Sequence, residues 1–250
     1  MSKRRSHPFI QRTRQSGKKS PPFQPPTVEY LLETAGSLTF IGGRFNTGTD
    51  VNSETQSFPA LYLAIDKNTA LQETLGQSKV KPCKISAIEL ALINPQSQVI
   101  VSVSGELEKV FDLRKPKTLK PFVELIKGFK FSKALLASAK LLGLPEPEIV
   151  RQPEQLLNTL LGDWRNSPTV SDVPANAQIF GHLVYQAGIE GILYPSRLTG
   201  KECLAVFPHN FAVTSSYITL DDEPPHEKIP RRIDSANWRV CDLPPQDLID

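Results

Sequence analysis

Residues 60–75 constrain the fold most, because the chain changes there from a strand pattern to a helix pattern at a single residue. Residues 60–65 form a short apolar run that includes Tyr62, and such runs are typical of a β-strand. Asp66 follows directly and is a preferred N-cap residue, with an apolar helical stripe continuing to about Leu75. The stretch therefore predicts a strand that leads straight into a helix.

The rest of the chain is likewise a mixture of short strand patterns and single helix patterns. It contains no internal sequence repeat. Strand patterns occur at residues 37–41, 84–93, 99–103, 191–194, 203–207 and 211–219, and helix patterns at 27–36 and 175–187. Residues 114–170 carry few strand signals and contain helical patterns at 132–142 and 153–161. We therefore expect an α+β fold with a mostly antiparallel β core and a helical insert at 114–170.

The two ends of the chain differ in composition from the middle. Residues 1–26 hold seven of the 29 Lys and Arg residues and no acidic residue, so we expect a disordered basic arm. The remaining chain then carries a net charge of about −4, against +3 for the whole. Prolines concentrate in residues 221–250, which we expect to form an extended tail. One domain is expected at 27–220, and the arm is either a solvated tail or a contact for an acidic partner or RNA.

Composition and motifs argue against several classes of protein. No apolar run approaches the ~20 residues that span a membrane, and the N-terminus lacks the apolar stretch of a secretory signal. The three cysteines, at positions 83, 203 and 241, are scattered without C-x-x-C spacing. We therefore expect no disulfide framework, no metal site and no membrane partner, which suits a cytoplasmic protein. Phosphate-loop, dinucleotide-binding and nucleophile-elbow motifs are absent as well.

Four polar residues stand at turns or in elements where a side chain can meet a ligand. Arg44 follows two glycines, and its planar guanidinium suits phosphate oxygens, although a lone turn arginine is more often a surface ion pair. Tyr62 is either a packed strand aromatic or a ring that stacks on a base-like ligand. Glu73, on the expected helix, is by itself a solvated carboxylate, and Ser196, in a Pro-Ser turn, is usually a local cap. Each residue alone indicates little.

Four stretches, taken in order, resemble the RES domain family, which is named for an arginine, a glutamate and a serine. They are G-G-R-F-N at residues 42–46, F-P-A-L-Y-L-A-I-D-K-N-T-A-L-Q-E at 58–73, G-I-E-G-I-L-Y-P-S-R at 188–197 and L-A-V-F-P at 204–208. The resemblance covers residues 37–210 and is weakest at 114–170. By position, the family's arginine, tyrosine, glutamate and serine correspond to Arg44, Tyr62, Glu73 and Ser196.

The resemblance implies a fold similar to that of ADP-ribosyltransferases and a site that consumes NAD+ as its substrate. RES proteins are known as toxins of bacterial toxin–antitoxin pairs, so the resemblance also implies a candidate antitoxin partner. Glu73 would stabilise the positive charge that develops on ribose, as carboxylates do in glycosidases. Arg44 would bind the pyrophosphate, and Tyr62 would stack on nicotinamide or its ribose. Ser196 would hydrogen-bond the nicotinamide side or steady Glu73.

Three hypotheses for the function stay open. The leading one is an NAD+ glycohydrolase or phosphorylase, which cleaves the nicotinamide–ribose bond. The second is a protein mono-ADP-ribosyltransferase that uses the same four residues, and the acceptor of ADP-ribose distinguishes it from the first. The third is a non-catalytic interaction protein on a RES fold, with the basic arm as its working part. If the resemblance holds, the four residues should line one cleft although they come from four separate segments.

Overall fold

A computed structural model gives the fold of the protein. It describes residues 9–14, 32, 34–38, 40–51, 56–75, 98–128, 150–165, 174–224 and 230–239, together with positions 130, 133, 137, 140 and 141. The strand expected at 84–93 lies outside these residues, as does most of the sequence expected to form helices at 27–36 and 132–142.

The described residues form ten strands, four α-helices with described bounds and several short 3-10 helices, and positions 133, 137, 140 and 141 are helical as well. The strands are β1 (Phe9–Arg14), β2 (Gly42–Gly43), β3 (Asn46–Thr47), β4 (Leu61–Ala64), β5 (Gln98–Glu106), β6 (Val110–Asp112), β7 (Gly191–Pro195), β8 (Glu202–Val206), β9 (Tyr217–Leu220) and β10 (Arg232–Ile233). The helices are α1 (Lys67–Leu75), α2 (Lys120–Ile126), α3 (Pro153–Leu161) and α4 (Asn176–Gln186). The expected strand-to-helix unit at 60–75 is thus confirmed as β4 followed by α1.

Eight of these strands form one sheet in the order β10-β9-β5-β1-β4-β8-β7-β6, and β2 pairs with β3 in a small separate ladder. Among the described strands, β6 and β7 pair in parallel and all other neighbours pair antiparallel. The expected α+β class with a mostly antiparallel core is therefore confirmed. The described elements between residues 114 and 170 are helical.

Side-chain alternation gives the sheet two buried faces. On β4, Leu61 and Leu63 point into one core together with Leu204 and Val206 of β8, whereas Tyr62 points to the opposite face. Three helices pack on that opposite face through buried apolar side chains, namely Val123, Leu156, Leu160, Ala177, Phe180 and Val184. Tyr62 therefore lies between the sheet and the helical layer. In the described part of the chain, no helix is both long and apolar enough to cross a membrane.

Two expected strands are wrong in part, and each has a local cause. Where a strand is expected at 37–41, Ala35–Leu38 instead form a 3-10 helix. The Asn46 side-chain amide donates to the Ser37 carbonyl (2.9 Å), which in a sheet would accept a hydrogen bond from a neighbouring strand. The strand expected at 211–219 begins only at Tyr217, because Pro208 opens a 3-10 helix that runs to Val213. In the expected tail, β10 pairs with β9 at the edge of the sheet.

Strand β1 places six residues of the expected disordered arm, Phe9–Arg14, in the sheet, and the rest of the arm lies outside the described residues. The backbone of Phe9–Arg14 lies between β4 and β5, with Ile10 and Gln11 opposite β4 and all six residues opposite β5. Phe, Ile and Thr favour strands, and the edges of β4 and β5 offer hydrogen-bonding groups that compete with water for this backbone. The basic charge of the segment therefore does not keep it out of the sheet.

A proline at Gln11 tests the placement of β1. Gln11 pairs on both sides, so Gln11→Pro removes a ladder hydrogen bond inside the sheet. An unpaired buried backbone group costs about 1–3 kcal/mol in unfolding free energy. The melting temperature of the full chain should fall by about 2–4 °C per kcal/mol. Gln11→Ala shortens the same side chain but keeps the N–H, and serves as the control. Equal melting temperatures for the two variants would contradict a paired strand at this position.

Candidate active site

Arg44 lies in a tight turn between β2 and β3. Each of the two glycines that precede it is needed for a different structural reason. Gly42 has a φ of +81°, a left-handed conformation that glycine adopts without strain. A Cβ at Gly43 would lie 2.4 Å from the ring of Tyr62. The first glycine therefore permits the turn, and the second permits close packing of the tyrosine beside the arginine.

The Arg44 side chain is 7% exposed and binds the end of helix α3. Its Nη1 donates to the carbonyl of Leu160 (3.1 Å) and to that of Gly162 (3.0 Å). Carbonyls at a helix C-terminus lack partners within the helix and carry partial negative charge, so a guanidinium is a favourable partner there. The Nε and Nη2 groups have no hydrogen-bond partner among the described residues. The helical insert thus contacts the arginine directly.

Two buried side-chain amides hold the arginine turn in place. Nε2 of Gln178, on α4, lies 2.8, 3.0 and 3.1 Å from the carbonyl oxygens of Ile41, Gly43 and Asn46. Asn46 in turn donates through Nδ2 to the carbonyl of Phe58 (3.2 Å), which precedes β4. The turn is therefore attached to helix α4 on one side and to the start of β4 on the other.

Tyr62 shares its hydroxyl with the same turn. The hydroxyl accepts a hydrogen bond from the backbone N–H of Phe45 (2.8 Å) and donates one to Oδ1 of Asn46 (2.8 Å). Burial raises the pKa of the Tyr62 phenol well above its usual value, although the Phe45 N–H and the charge of Arg44 act in the opposite direction. The phenol is therefore neutral at physiological pH, and its hydroxyl is engaged on both the donor and the acceptor side.

Glu73, on α1, and Ser196, directly after β7, are in contact. Oγ of Ser196 lies 2.5 Å from Oε1 of Glu73. The same Oγ accepts hydrogen bonds from the N–H groups of Leu198 (3.2 Å) and Thr199 (3.1 Å). A hydroxyl has one hydrogen, so two backbone donors on its oxygen leave that hydrogen for the carboxylate. Ser196 is therefore oriented by its own turn to donate to Glu73.

The helix that carries the glutamate is tied to the turn that carries the serine by further contacts. Asp66 caps α1, because its Oδ1 accepts the N–H of Thr69 (2.8 Å), and its Oδ2 accepts a hydrogen bond from Nζ of Lys201 (2.7 Å). Oγ1 of Thr69 lies 3.2 Å from Oγ1 of Thr199. The hydrogen bond from Lys201 is the largest cause that lowers the pKa of Asp66. These contacts fix the start of α1 against the serine turn.

Tyr194 and Cys203, which pair between β7 and β8, are buried groups on which both Arg44 and Glu73 act. Burial raises the pKa of the Tyr194 phenol well above its usual value; Cys203, Glu73 and Tyr62 also raise it, and Arg44 lowers it. Burial likewise raises the pKa of the Cys203 thiol to about 12, and the charge of Glu73 acts in the same direction. The charges of Glu73 and Arg44 therefore act on Tyr194 in opposite directions.

The four residues named from the sequence lie in two pairs. Ser196 contacts Glu73, and Tyr62 binds the turn that carries Arg44. The charges of Arg44 and Glu73 both act on Tyr194. Four further buried residues complete the site and were not predicted from the sequence, namely Asn46, Gln178, Tyr194 and Cys203. Asn46 and Tyr194 lie inside the motif stretches, so their positions were a usable signal. Among the described residues, no three His, Cys, Asp or Glu side chains lie close enough together to hold a metal ion.

The comparison with family models agrees with the resemblance drawn from the motifs. A family model described as the RES domain matches residues 26–227. No curated protein sequence matches the chain. A solved structure similar to this one is the crystal structure of the M. tuberculosis MbcT–MbcA toxin–antitoxin complex, with 15% sequence identity and a TM-score of 0.44. The similarity covers 95% of this chain and 89% of that chain.

Gln178→Glu tests whether the side-chain amide holds the arginine turn. The substitution keeps the shape of the side chain but replaces the donor amide with an oxygen that faces three carbonyls. The buried carbonyl acceptors would then lack a donor, which is expected to cost about 1–3 kcal/mol in unfolding free energy. Gln186→Glu makes the same change at an exposed position of α4 and should stay within about 0.5 kcal/mol of wild type. Chemical denaturation of both variants measures the difference, and equal stabilities would mean that the amide does not hold the turn.

Proposed function

Because the chain belongs to the RES domain family, we propose that it is an NAD+-consuming enzyme that cleaves the bond between nicotinamide and ribose. The observation that carries the proposal is the hydrogen bond from Ser196 to the carboxylate of Glu73, in a fold that also buries the cation of Arg44. A fixed carboxylate and a fixed cation suit a substrate that develops positive charge on a sugar and carries negative charge on its phosphates.

The reaction needs little acid–base chemistry at the leaving group. In NAD+ the nicotinamide ring is cationic, and it becomes neutral when the C1–N bond breaks and takes the electron pair. The ribose is left with oxocarbenium character, which a nearby carboxylate stabilises electrostatically. We assign this role to Glu73. A water or phosphate oxygen then bonds to C1 and, in the case of water, releases a proton to solvent.

Ser196 has two candidate roles, and its hydrogen bonds favour one of them. Its oxygen accepts from two backbone N–H groups and its hydrogen points to Glu73. The hydroxyl therefore has no further hydrogen to donate to nicotinamide while this bond is present. We propose that Ser196 is a positioning residue that holds the Glu73 carboxylate towards the ribose.

Arg44 and Tyr62 are proposed to bind the substrate. Nη1 of Arg44 is engaged with the end of α3, whereas its Nε and Nη2 groups offer three further N–H donors for the pyrophosphate. The hydroxyl of Tyr62 is engaged with the arginine turn, so the ring is the part of this side chain that would contact nicotinamide or its ribose.

The toxin role implied by the family follows from the same chemistry. An enzyme that cleaves NAD+ without control depletes a cofactor that the whole cell uses, so the protein would need a partner that keeps it inactive. We propose a protein antitoxin as that partner.

Product analysis tests the reaction. Purified protein incubated with NAD+ is expected to release nicotinamide together with ADP-ribose in plain buffer or ADP-ribose 1″-phosphate in phosphate buffer, both identified by mass spectrometry. ADP-ribose attached to a protein would instead indicate a mono-ADP-ribosyltransferase. NAD+ that stays intact under all conditions, with the protein shown to be folded, would overturn the proposed function.

Glu73→Gln tests the proposed catalytic residue. The substitution keeps the size of the side chain but removes the charge that would stabilise the oxocarbenium ion. Loss of one preorganised electrostatic group lowers kcat by roughly 10²–10³-fold with KM changed far less. Glu154→Gln, the same change at an exposed position of α3, is the control and should remain within about twofold of wild type. Near-normal kcat in the Glu73→Gln protein, with its melting temperature unchanged, would contradict the role.

A further inference from the structure

An ion pair between Asp163 and Arg197 joins the two sides of the site. Nη1 of Arg197 lies 4.0 Å from Oδ2 of Asp163, and the two side chains are 35% exposed for the aspartate and 31% for the arginine. Asp163 directly follows Gly162, which binds Arg44 through its carbonyl. Arg197 directly follows the serine that donates to the catalytic carboxylate. The pair therefore runs from the arginine side of the site to the glutamate side.

Arg44 alone provides limited binding for a pyrophosphate. A pyrophosphate diester carries two negative charges, whereas Arg44 supplies one positive charge and directs Nη1 to two backbone carbonyls. Its burial also leaves little of the guanidinium exposed to a ligand. A bound dinucleotide would therefore have one phosphate charge without a cationic partner if Arg44 were its only cation.

Arg197 has the properties of a second cation for the same ligand. Its distance from Asp163 is at the limit of an ion pair, and partly exposed pairs of this kind stabilise a protein little. The guanidinium can therefore exchange Asp163 for another anion at small cost. Its planar fork of donors can bind two oxygens of one phosphate. Both guanidinium groups, those of Arg44 and Arg197, lie against consecutive residues of the segment that follows α3.

We propose that Arg197 is a second phosphate-binding residue of the site and that Asp163 holds it when no dinucleotide is bound. This inference rests on the proposed function, because it assumes a ligand with a pyrophosphate. On binding, Arg197 moves from the carboxylate of Asp163 to a phosphate, so Asp163 competes with the ligand. Loss of Arg197 should then weaken binding, whereas neutralisation of Asp163 should strengthen it.

The test compares dissociation constants of three ligands by isothermal titration calorimetry: NAD+, ADP-ribose and nicotinamide riboside. All proteins are full length and carry Glu73→Gln, so that NAD+ is not consumed. Arg197→Ala should weaken the binding of NAD+ and ADP-ribose about tenfold and leave nicotinamide riboside, which has no phosphate, unchanged. Asp163→Asn should tighten the binding of the two pyrophosphate ligands by up to about fivefold.

Arg151→Ala is the matched control, because it removes the same side chain at the opposite end of α3 and should change none of the three affinities. Melting temperatures establish that each variant is folded. Weaker binding in both Arg197→Ala and Asp163→Asn would mean that the ion pair only supports the fold, and unchanged affinities would mean that Arg197 does not meet the phosphates. Either result overturns the inference and leaves the proposed function intact. Failure of the parent protein to bind NAD+ and ADP-ribose would overturn both.

Discussion

The burial of one guanidinium is the interaction on which the rest of the site depends. Removing a charge from water is costly unless the charge is hydrogen-bonded, and Arg44 is almost completely removed. The cost is offset by two carbonyls at the end of α3. A displacement of α3 would therefore leave the arginine without partners, and loss of the arginine would leave two carbonyls without a donor. The helical insert is thus a structural part of the site, although the sequence analysis leaves its purpose open.

Around this cation, the hydroxyl groups of the site have defined hydrogen-bond directions. Ser196 receives two backbone N–H groups and gives its hydrogen to Glu73, and Tyr62 receives one N–H and gives its hydrogen to Asn46. Groups that are already oriented need not reorganise when charge develops on a substrate, which is the main source of electrostatic catalysis. In the proposed reaction, the turns that hold these hydroxyls would therefore matter as much as the hydroxyls themselves.

The sequence predicts best where the physical signal is local. The cap at Asp66, the bounds of α3 at Pro153–Leu161 and the strand that carries Tyr62 all follow from neighbouring residues. The partners of Arg44 could not be predicted in this way, because they lie 116 and 118 positions away and are backbone atoms without a residue-type signal. Gln178 is similarly hidden, since a polar residue in a helix ordinarily indicates an exposed face. The meeting of Glu73 with Ser196 was implied by the family resemblance rather than by either residue.

Local signals also differ from long-range contacts at β1. The charge of the segment predicts a solvated arm, whereas its backbone lies between β4 and β5. This position has a consequence for the order of assembly. Phe9–Arg14 is synthesised before either of its neighbours, and Ile10 pairs with Ala64 and with Ser102, so both pairings close long loops. Pairings between residues far apart in sequence form slowly. We therefore expect the sheet to assemble with β4 and β5 exposing unpaired edges until β1 is inserted between them. During that interval, the nascent protein would be most exposed to pairing with strands of other chains.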